Sequence, residues 1–584
     1  MSARRSLIAL LVFFCVLIVI AVVFVLVFVG RAPEVKDGSY LVLSLGGDIP
    51  EESSGFFDMP FLEKEQVTMK TLLECVEKAK VDRRIKGIVV KISPFSFGWS
   101  KTHEIREKLA WFRGNSKKPL VAYLMMGGDK EYYLATACEK VLMPEASELF
   151  LDGLVSEVVF LRGTLDKMGV TPDLEHIGAY KSASDIFTQR TFTEAHREVT
   201  NSLLDDGFGR LLKVIGEAKD LSSEEVKKLV DSGPFTAAEA YEAGLVDSLV
   251  YEDELPKMLG VPKESHFKTV SLEDYTRVKP SALKLGKGPK IALVYAVGTI
   301  TEGKSSYSPI FGRTMGSDTI VEALKEARRD KDIKAIVLRI DSPGGSGLAS
   351  DFIWREVNRA KARKPFIASM SDVAGSGGYY IAMAADTIVA EPGTITGSIG
   401  VVSGKFTTAG LYGKLGMNRE IVTRGERAAM YSDVRSFTPA ERRKLLEQIW
   451  EWYTDFVRKV AQGRGMTEDE VDKVARGRVW TGAQAVEIGL VDVLGGLDES
   501  VELAKARAGI PKESEVTLVM FPKRKISMLQ KLVRAFSSES YEAVEAGLGV
   551  MSPDAKAALE MLRAGSLFHS GESLYLMPYR IDIE

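Results

Sequence analysis

Ser376 lies in the run Ser371-Asp-Val-Ala-Gly-Ser-Gly-Gly-Tyr-Tyr380, with glycine on either side and a helix-like apolar stretch, Tyr380 to Ala385, directly after it. A serine held between glycines at the start of a helix is open to a substrate carbonyl and can serve as a nucleophile. About thirty residues upstream, Asp341-Ser-Pro-Gly-Gly-Ser-Gly347 forms a glycine turn at the exit of a predicted strand, Ala335 to Ile340. Such a turn can aim backbone N–H groups at an oxyanion, and Gly377 with Gly344 or Gly345 are the candidate donors. Either segment alone is explained equally well by two elements packing closely through glycine. Together they argue for acyl chemistry at Ser376, with Ser342 and Ser346 as weaker rival nucleophiles.

The base that would activate this serine is not an obvious histidine. The five histidines are His103, His176, His196, His266 and His569, and none falls between residues 267 and 568. A distant histidine could fold back, but nothing near Ser376 in sequence supports a Ser-His-Asp triad. A lysine base is the known variant of the same logic. Free lysine has a pKa of about 10.4 and is protonated at neutral pH, so a catalytic lysine must be buried away from carboxylates. Lys405 and Lys414 lie in the same half of the chain as Ser376.

The elements that must position these groups occur twice. Ile85-Lys-Gly-Ile-Val-Val-Lys-Ile92 matches Ile333-Lys-Ala-Ile-Val-Leu-Arg-Ile340, and Lys118-Pro-Leu-Val-Ala122 matches Lys364-Pro-Phe-Ile-Ala368. Phe235-Thr-Ala-Ala-Glu-Ala-Tyr-Glu-Ala-Gly-Leu-Val-Asp247 matches Trp480-Thr-Gly-Ala-Gln-Ala-Val-Glu-Ile-Gly-Leu-Val-Asp492, all at an offset of roughly 245 to 248 residues. The β-branched runs suit buried strands. Between them lie helical patterns, such as Ile320, Ala323, Leu324 and Ala327 on one face. Strands alternating with helices predict an α/β fold with mostly parallel pairing. The seam falls near Pro280 to Pro289.

The copies have lost different residues. Opposite Ser376 the first half carries Asp129, and Ser93-Pro-Phe-Ser-Phe97 replaces the glycine turn. The first half keeps Ile177-Gly-Ala-Tyr-Lys-Ser182, where the second reads Thr423-Arg-Gly-Glu-Arg-Ala-Ala429, so that Lys181 faces Ala428. One half has a serine without the lysine and the other the reverse. A composite site shared by the two halves accounts for both losses, with Lys181 as the base.

The paired halves, together with Ala-Gly-Ser-Gly-Gly-Tyr, Asp-Ser-Pro-Gly-Gly, Gly-Ala-Tyr-Lys-Ser and Thr-Gly-Ser-Ile-Gly400, resemble the signal peptide peptidase SppA family in its long, membrane-anchored form. The resemblance covers residues from about 40 to 510. It implies two tandem ClpP/crotonase-like domains of spiral ββα type and a Ser-Lys dyad, with Ser376 as nucleophile and Lys181 as base. Ser398 resembles the serine that hydrogen-bonds the lysine. It further implies a tetrameric assembly and, as substrates, signal peptides left in the membrane after secretion.

Length and composition set the frame. A chain of 584 residues, 45% hydrophobic and 27% charged, is a folded protein of two or more domains. Its net charge of −3 gives no electrostatic case for a nucleic-acid partner, and no cofactor fingerprint or metal spacing stands out. Cys15 lies in an apolar segment, leaving only Cys75 and Cys138 as a possible pair. Residues 6–30 carry no charge and are long enough to span a bilayer as a helix. Arg4 and Arg5 precede them, so the sequence predicts a single-pass, uncleaved signal anchor in the cytoplasmic membrane, with everything beyond it extracytoplasmic. The expected division is 1–5 cytoplasmic, 6–30 transmembrane, 40–285 supplying the lysine, 290–515 supplying the serine, and 516–584 a C-terminal extension. Residues 521–536 read as a basic amphipathic helix, fit for a membrane surface, a greasy peptide or a subunit contact.

The expected function is a membrane-anchored serine peptidase for hydrophobic peptides, in a homo-oligomer. A crotonase-like acyl-CoA enzyme is the alternative with a similar oxyanion turn, and a catalytically inactive membrane scaffold is the third reading.

Overall fold

The computed structural model describes residues 35–52, 67–262, 266–308, 312–522 and 573–577. The anchor expected at 6–30 and most of the helix expected at 521–536 lie outside the described residues. Among the described residues, no helix is long and apolar enough to cross a membrane.

The duplication is visible in the strand order. One parallel sheet runs Thr269–Ser271, Ser39–Gly47, Ile85–Phe95, Leu120–Leu124, Lys140–Met143, Ser248–Leu249. The other runs, in the same order, Thr517–Phe521, Lys290–Val297, Ile333–Ser342, Phe366–Gly375, Thr387–Ala390, Val493–Leu494. The central strands are buried over most of their length, as parallel strands with helices on their faces must be. This is the α/β architecture that the alternating pattern predicts.

Local chemistry is duplicated as well. Lys118 Nζ donates to the carbonyls of Ala79 and Asp82, and Lys364 Nζ to those of Ala327 and Asp330. Tyr132 and Tyr379 each send a buried hydroxyl to a backbone carbonyl, of Leu245 and Leu490. Thr236 and Thr481 each cap a short helix through a capping box closed by Glu239 or Gln484. Two differences from the sequence reading concern the C-terminal region. Thr517–Phe521, assigned there to the extension, is an edge strand of the second sheet, because its apolar run pairs with Lys290–Val297. Phe521 is therefore a strand residue and not the start of a helix. Cys75 and Cys138 are free and buried.

A third sheet joins the halves. Val401–Thr407 of the second half pairs antiparallel with Thr171–Ile177 of the first, from Val401 opposite Ile177 to Thr407 opposite Thr171. Ser398 precedes one strand and Lys181 follows the other, so this register brings both to the same end of the ladder.

The halves are also locked by buried charge. Arg339, fully buried, donates to Glu51 and Glu104 of the first half. Burial pushes Glu51 up, but the Arg339 guanidinium outweighs it and holds the carboxyl near 2. Lys101, at the start of the helix Trp99–Asn115, reaches Asp341 at 3.0 Å and Asp372 at 3.6 Å. Asp372 in turn accepts from the backbone N–H groups of Gly98, Ser100 and Lys101, satisfying the open donors of that helix start.

Candidate active site

Ser376 ends the strand Phe366–Gly375 and caps the helix Gly377–Ala382. Its backbone has φ 52° and ψ −108°, a region that L-residues avoid. The conformation is fixed from both sides, since Ser376 N donates to the Gly397 carbonyl at 2.8 Å and Tyr380 N donates back to the Ser376 carbonyl at 2.8 Å. Ser398 also has positive φ, at 52°. Such strain, on the order of 1–3 kcal/mol per residue, persists only where the surroundings over-determine it. Here it turns two serine side chains toward one lysine.

Lys181 Nζ donates to Ser376 Oγ at 2.8 Å, to the Ser398 carbonyl at 2.9 Å and to Ser398 Oγ at 3.0 Å. All three residues are 0% exposed. Burial, with no charged neighbour acting on it, lowers the Lys181 amine well below its ordinary value. A neutral amine can accept a proton, so this geometry can take the hydroxyl proton from Ser376.

The space for Lys181 is made by two glycines, Gly178 of the Gly-Ala-Tyr-Lys-Ser run and Gly477, to which the sequence reading gave no role of their own. A Cβ on Gly477, which has φ +81°, would lie 2.5 Å from Lys181 Cα, and one on Gly178, with φ +107°, would run into the backbone of Arg476. Tyr180 N donates to the Arg476 carbonyl and Gly477 N to the Ile399 carbonyl, tying the lysine loop to the Ser398 loop. Neither glycine carries a local signal, because the backbone each must clear, Lys181 for Gly477 and Arg476 for Gly178, belongs to the other half of the chain.

The glycine turn packs against the start of the Ser376 helix. A Cβ on Gly377 would meet Gly344 Cα at 3.0 Å and Ser350 Oγ at 2.8 Å. Gly344 and Gly345 take φ of 99° and 150°, conformations glycine adopts freely. Gly377 N–H is in the first turn of its helix, where amides lack an intrahelical acceptor. The Gly344 amide instead meets Ser342 Oγ at 3.2 Å.

The rival groups sit elsewhere. Lys405 Nζ donates to the carbonyls of Met430 and Ser432, and Lys414 is exposed and donates to the Lys167 carbonyl. Ser342 Oγ donates to the Gly298 carbonyl, and Ser346 Oγ meets Glu302 while capping the helix Gly347–Lys361. Among the described histidines, His103 pairs with Tyr133, His176 with the Gly178 carbonyl, His196 faces Asp185 and His266 is exposed, whereas Ser376 Oγ meets Lys181. No cluster of three or more potential metal ligands occurs among the described residues. Asp129, the counterpart of Ser376, begins a helix and is buried, with Oδ1 unpartnered; burial and then the Asp152 carboxylate push it up to about 7.

Comparison with known proteins agrees on the class. Residues 113–263 and 358–511 match the model of Peptidase family S49. The chain is similar to the chloroplastic serine protease SPPA of Arabidopsis thaliana, 39% identical over 83% of this chain and 72% of that one. It is similar to Protease 4 of Salmonella typhi, 31% identical over 75% and 72%, and to Protease 4 of Haemophilus influenzae, 29% identical over 83% and 81%. Among solved structures, a substrate-peptide complex of the 1510-N membrane-bound stomatin-specific protease aligns over 43% of this chain and 99% of its own, 17% identical with a TM-score of 0.26. ClpP1 from Listeria monocytogenes aligns over 35% and 92%, 14% identical with a TM-score of 0.24. An α/β chain with these relatives is a serine peptidase. It belongs to peptidase family S49, in the long, two-repeat form typified by SppA.

Proposed function

We propose that the chain is a membrane-anchored endopeptidase that cuts hydrophobic peptides, signal peptides among them, with a Ser376–Lys181 dyad. One observation carries the reading: a wholly buried lysine amine, remote from any carboxylate, 2.8 Å from the hydroxyl of a strained serine. Neutral Lys181 takes the proton as Ser376 Oγ attacks the peptide carbonyl. The Ser398 hydroxyl and carbonyl hold the amine in line. Gly377 N–H, with the Gly344 or Gly345 N–H once the turn has opened to substrate, stabilises the tetrahedral oxyanion. The Lys181 ammonium then gives its proton to the departing amine, leaving an ester on Ser376. Water, deprotonated by the same lysine, releases the acid. The apolar stretch at 6–30 fixes this chemistry at the outer face of the cytoplasmic membrane.

The working unit is an oligomer of identical chains. Val401–Thr407 has Thr171–Ile177 as partner, but the repeat counterparts of these strands, 154–160 and 417–423, form no ladder and expose Val155, Val159, Met417, Ile421 and Val422. The same pairing made between copies joins them head to tail.

The test is acylation by a serine-reactive fluorophosphonate. Labelling should map to Ser376 alone and vanish in Ser376→Ala. Labelling at Ser342 or Ser346, or undiminished labelling of Lys181→Arg, would overturn the dyad.

A further inference from the structure

Acidic side chains outnumber their cations where the halves meet. Lys101 serves Asp341 and Asp372, and Arg339 serves Glu51 and Glu104. Glu391, just beyond the strand Thr387–Ala390, is buried, and no lysine or arginine among the described residues pairs with it. Its neighbour is His103, with Nε2 at 3.7 Å from Glu391 Oε2 and Nδ1 at 2.6 Å from the Tyr133 hydroxyl. Burial, then the Arg106 and Arg210 guanidinium groups, lower His103 to about 4, so it brings no charge to Glu391. Arg210 is engaged by Asp206 and the Pro392 carbonyl, and Arg106 by Glu107.

What Glu391 faces instead is another carboxyl. A Cβ on Gly496 would run into Glu104 Oε1 and Glu391 Oε1 together, so the two groups converge across the side chain that glycine lacks. Two carboxylates so placed do not both ionise. Burial raises Glu104, but Arg339 and the Leu497 amide, which donates to it at 2.5 Å, favour its charged form. Burial, then the Glu104 carboxylate, push Glu391 well above the ordinary range, with Glu107 and Asp372 adding to them and Arg339 opposing. Glu391 also opens the loop that leads to the candidate dyad. Thr394 N donates to its carbonyl at 3.0 Å, and Thr394 Oγ1 donates to the Ser371 carbonyl at 2.7 Å. The next strand, Ile395–Gly397, ends in the carbonyl that fixes Ser376 N and runs into Ser398, a partner of Lys181.

We propose that Glu391 is a positioning residue that shares one proton with Glu104 across the boundary of the halves, the Glu391 carboxyl donating to the Glu104 carboxylate. Loss of that proton to hydroxide leaves two facing carboxylates, which part the Glu391 loop from the helix Trp99–Asn115 and move Ser376 and Ser398 off Lys181. The bridge stands without the dyad; its effect on acylation rests on Ser376 and Lys181 being the reacting pair. Its contribution is present below the unfolded glutamate value of about 4.3 and is lost as pH climbs through the raised folded value.

The full-length chain in detergent tests this against Glu391→Gln, whose amide is a donor at every pH. Infrared difference spectra, parent minus variant, should show the carbonyl stretch of an un-ionised carboxylic acid at neutral pH, and this band should bleach as the solution is made alkaline. Over the same range, acylation of Ser376 by a fluorophosphonate should slow at least about tenfold in the parent, since a displacement of about 1 Å costs on the order of 10²-fold. The rate should stay level in Glu391→Gln. Glu391→Met, which lacks charge and donor alike, should acylate more slowly than the parent at neutral pH but with the same level alkaline profile. An ionised Glu391 at neutral pH, a parent rate that holds while the band bleaches, or an equal alkaline fall in all three chains would overturn the proposal. If the band appears and bleaches while no chain is acylated at any pH, the bridge stands and the dyad falls.

Discussion

Burial acts on Lys181 with nothing to oppose it, and the pH behaviour follows. Its amine loses its proton well below the ordinary lysine range, so kcat/KM should rise with pH through that lowered value and level off above it. Lys181→Arg should lower kcat/KM by at least about a thousandfold, because guanidinium stays protonated in a protein and proton transfer alone contributes about 10²–10⁴-fold. A pH series on purified Lys181→Arg that kept normal rates would assign the lysine a structural role. Asp129 offers the opposite sign. Its folded value near 7 is raised above about 3.9 for the unfolded chain, so its contribution is present below the unfolded value and lost as pH climbs through 7. Asp129→Asn should therefore match the parent in urea denaturation near pH 4 and exceed it by a few kcal/mol at pH 8, at about 1.4 kcal/mol per pKa unit. The meeting of Ser376 with Lys181 was legible in the sequence because the duplicated halves lack complementary residues. Gly477 and the positive φ of Ser376 and Ser398 were not, since they depend on the approach of loops that only the fold brings together.

Strands and helices make that approach possible, and the helix Trp99–Asn115 takes part in it. Its first turn meets Asp372, four residues before Ser376, and its Lys101 pairs with Asp341, where the glycine turn begins. One side chain thus ties the strand of Ser376 to the strand of the turn, across the boundary between the halves. Gly98 shares in this, for a Cβ there would lie 2.5 Å from the Asp372 carboxylate. Lys101→Met leaves two half-buried carboxylates side by side without their cation. Breaking such a pair costs about 3–5 kcal/mol, and denaturant titration should show a loss of that order, with Ser376 acylation slowed by displacement of the turn. A loss below about 1 kcal/mol would mean that water already reaches these carboxylates. The parallel core was legible at this scale, because Ile85 to Ile92 and Ile333 to Ile340 are continuous β-branched runs. The antiparallel crossing was not. Val401–Thr407 contains Gly404 and Lys405, and Thr171–Ile177 contains Pro172, Asp173 and Glu175, so neither reads as a buried strand. Asp173 is satisfied across the halves, accepting from Phe437 N and Arg442.

Across the whole molecule, the crossing is a template the chain uses once and presents a second time. Each chain carries Lys181 and Ser376 in contact through its internal crossing, so a single chain holds both members of the proposed dyad. The second crossing, between 154–160 of one copy and 417–423 of the next, would bring together Asp129 and Ala428, which can do no acyl chemistry. In the proposed oligomer the contact between copies would be architectural, and activity and assembly should separate. Val159→Asp with Ile421→Asp places like charges on both sides of that contact, where exposed aliphatic side chains now stand. In detergent solution the unaltered full-length chain should sediment as several copies and the double variant as one. Fluorophosphonate acylation of Ser376 should proceed at nearly the parent rate in both, since no residue of the dyad crosses between chains. A single-copy parent would remove the template argument. Loss of acylation on dissociation would mean instead that a neighbouring copy completes the site.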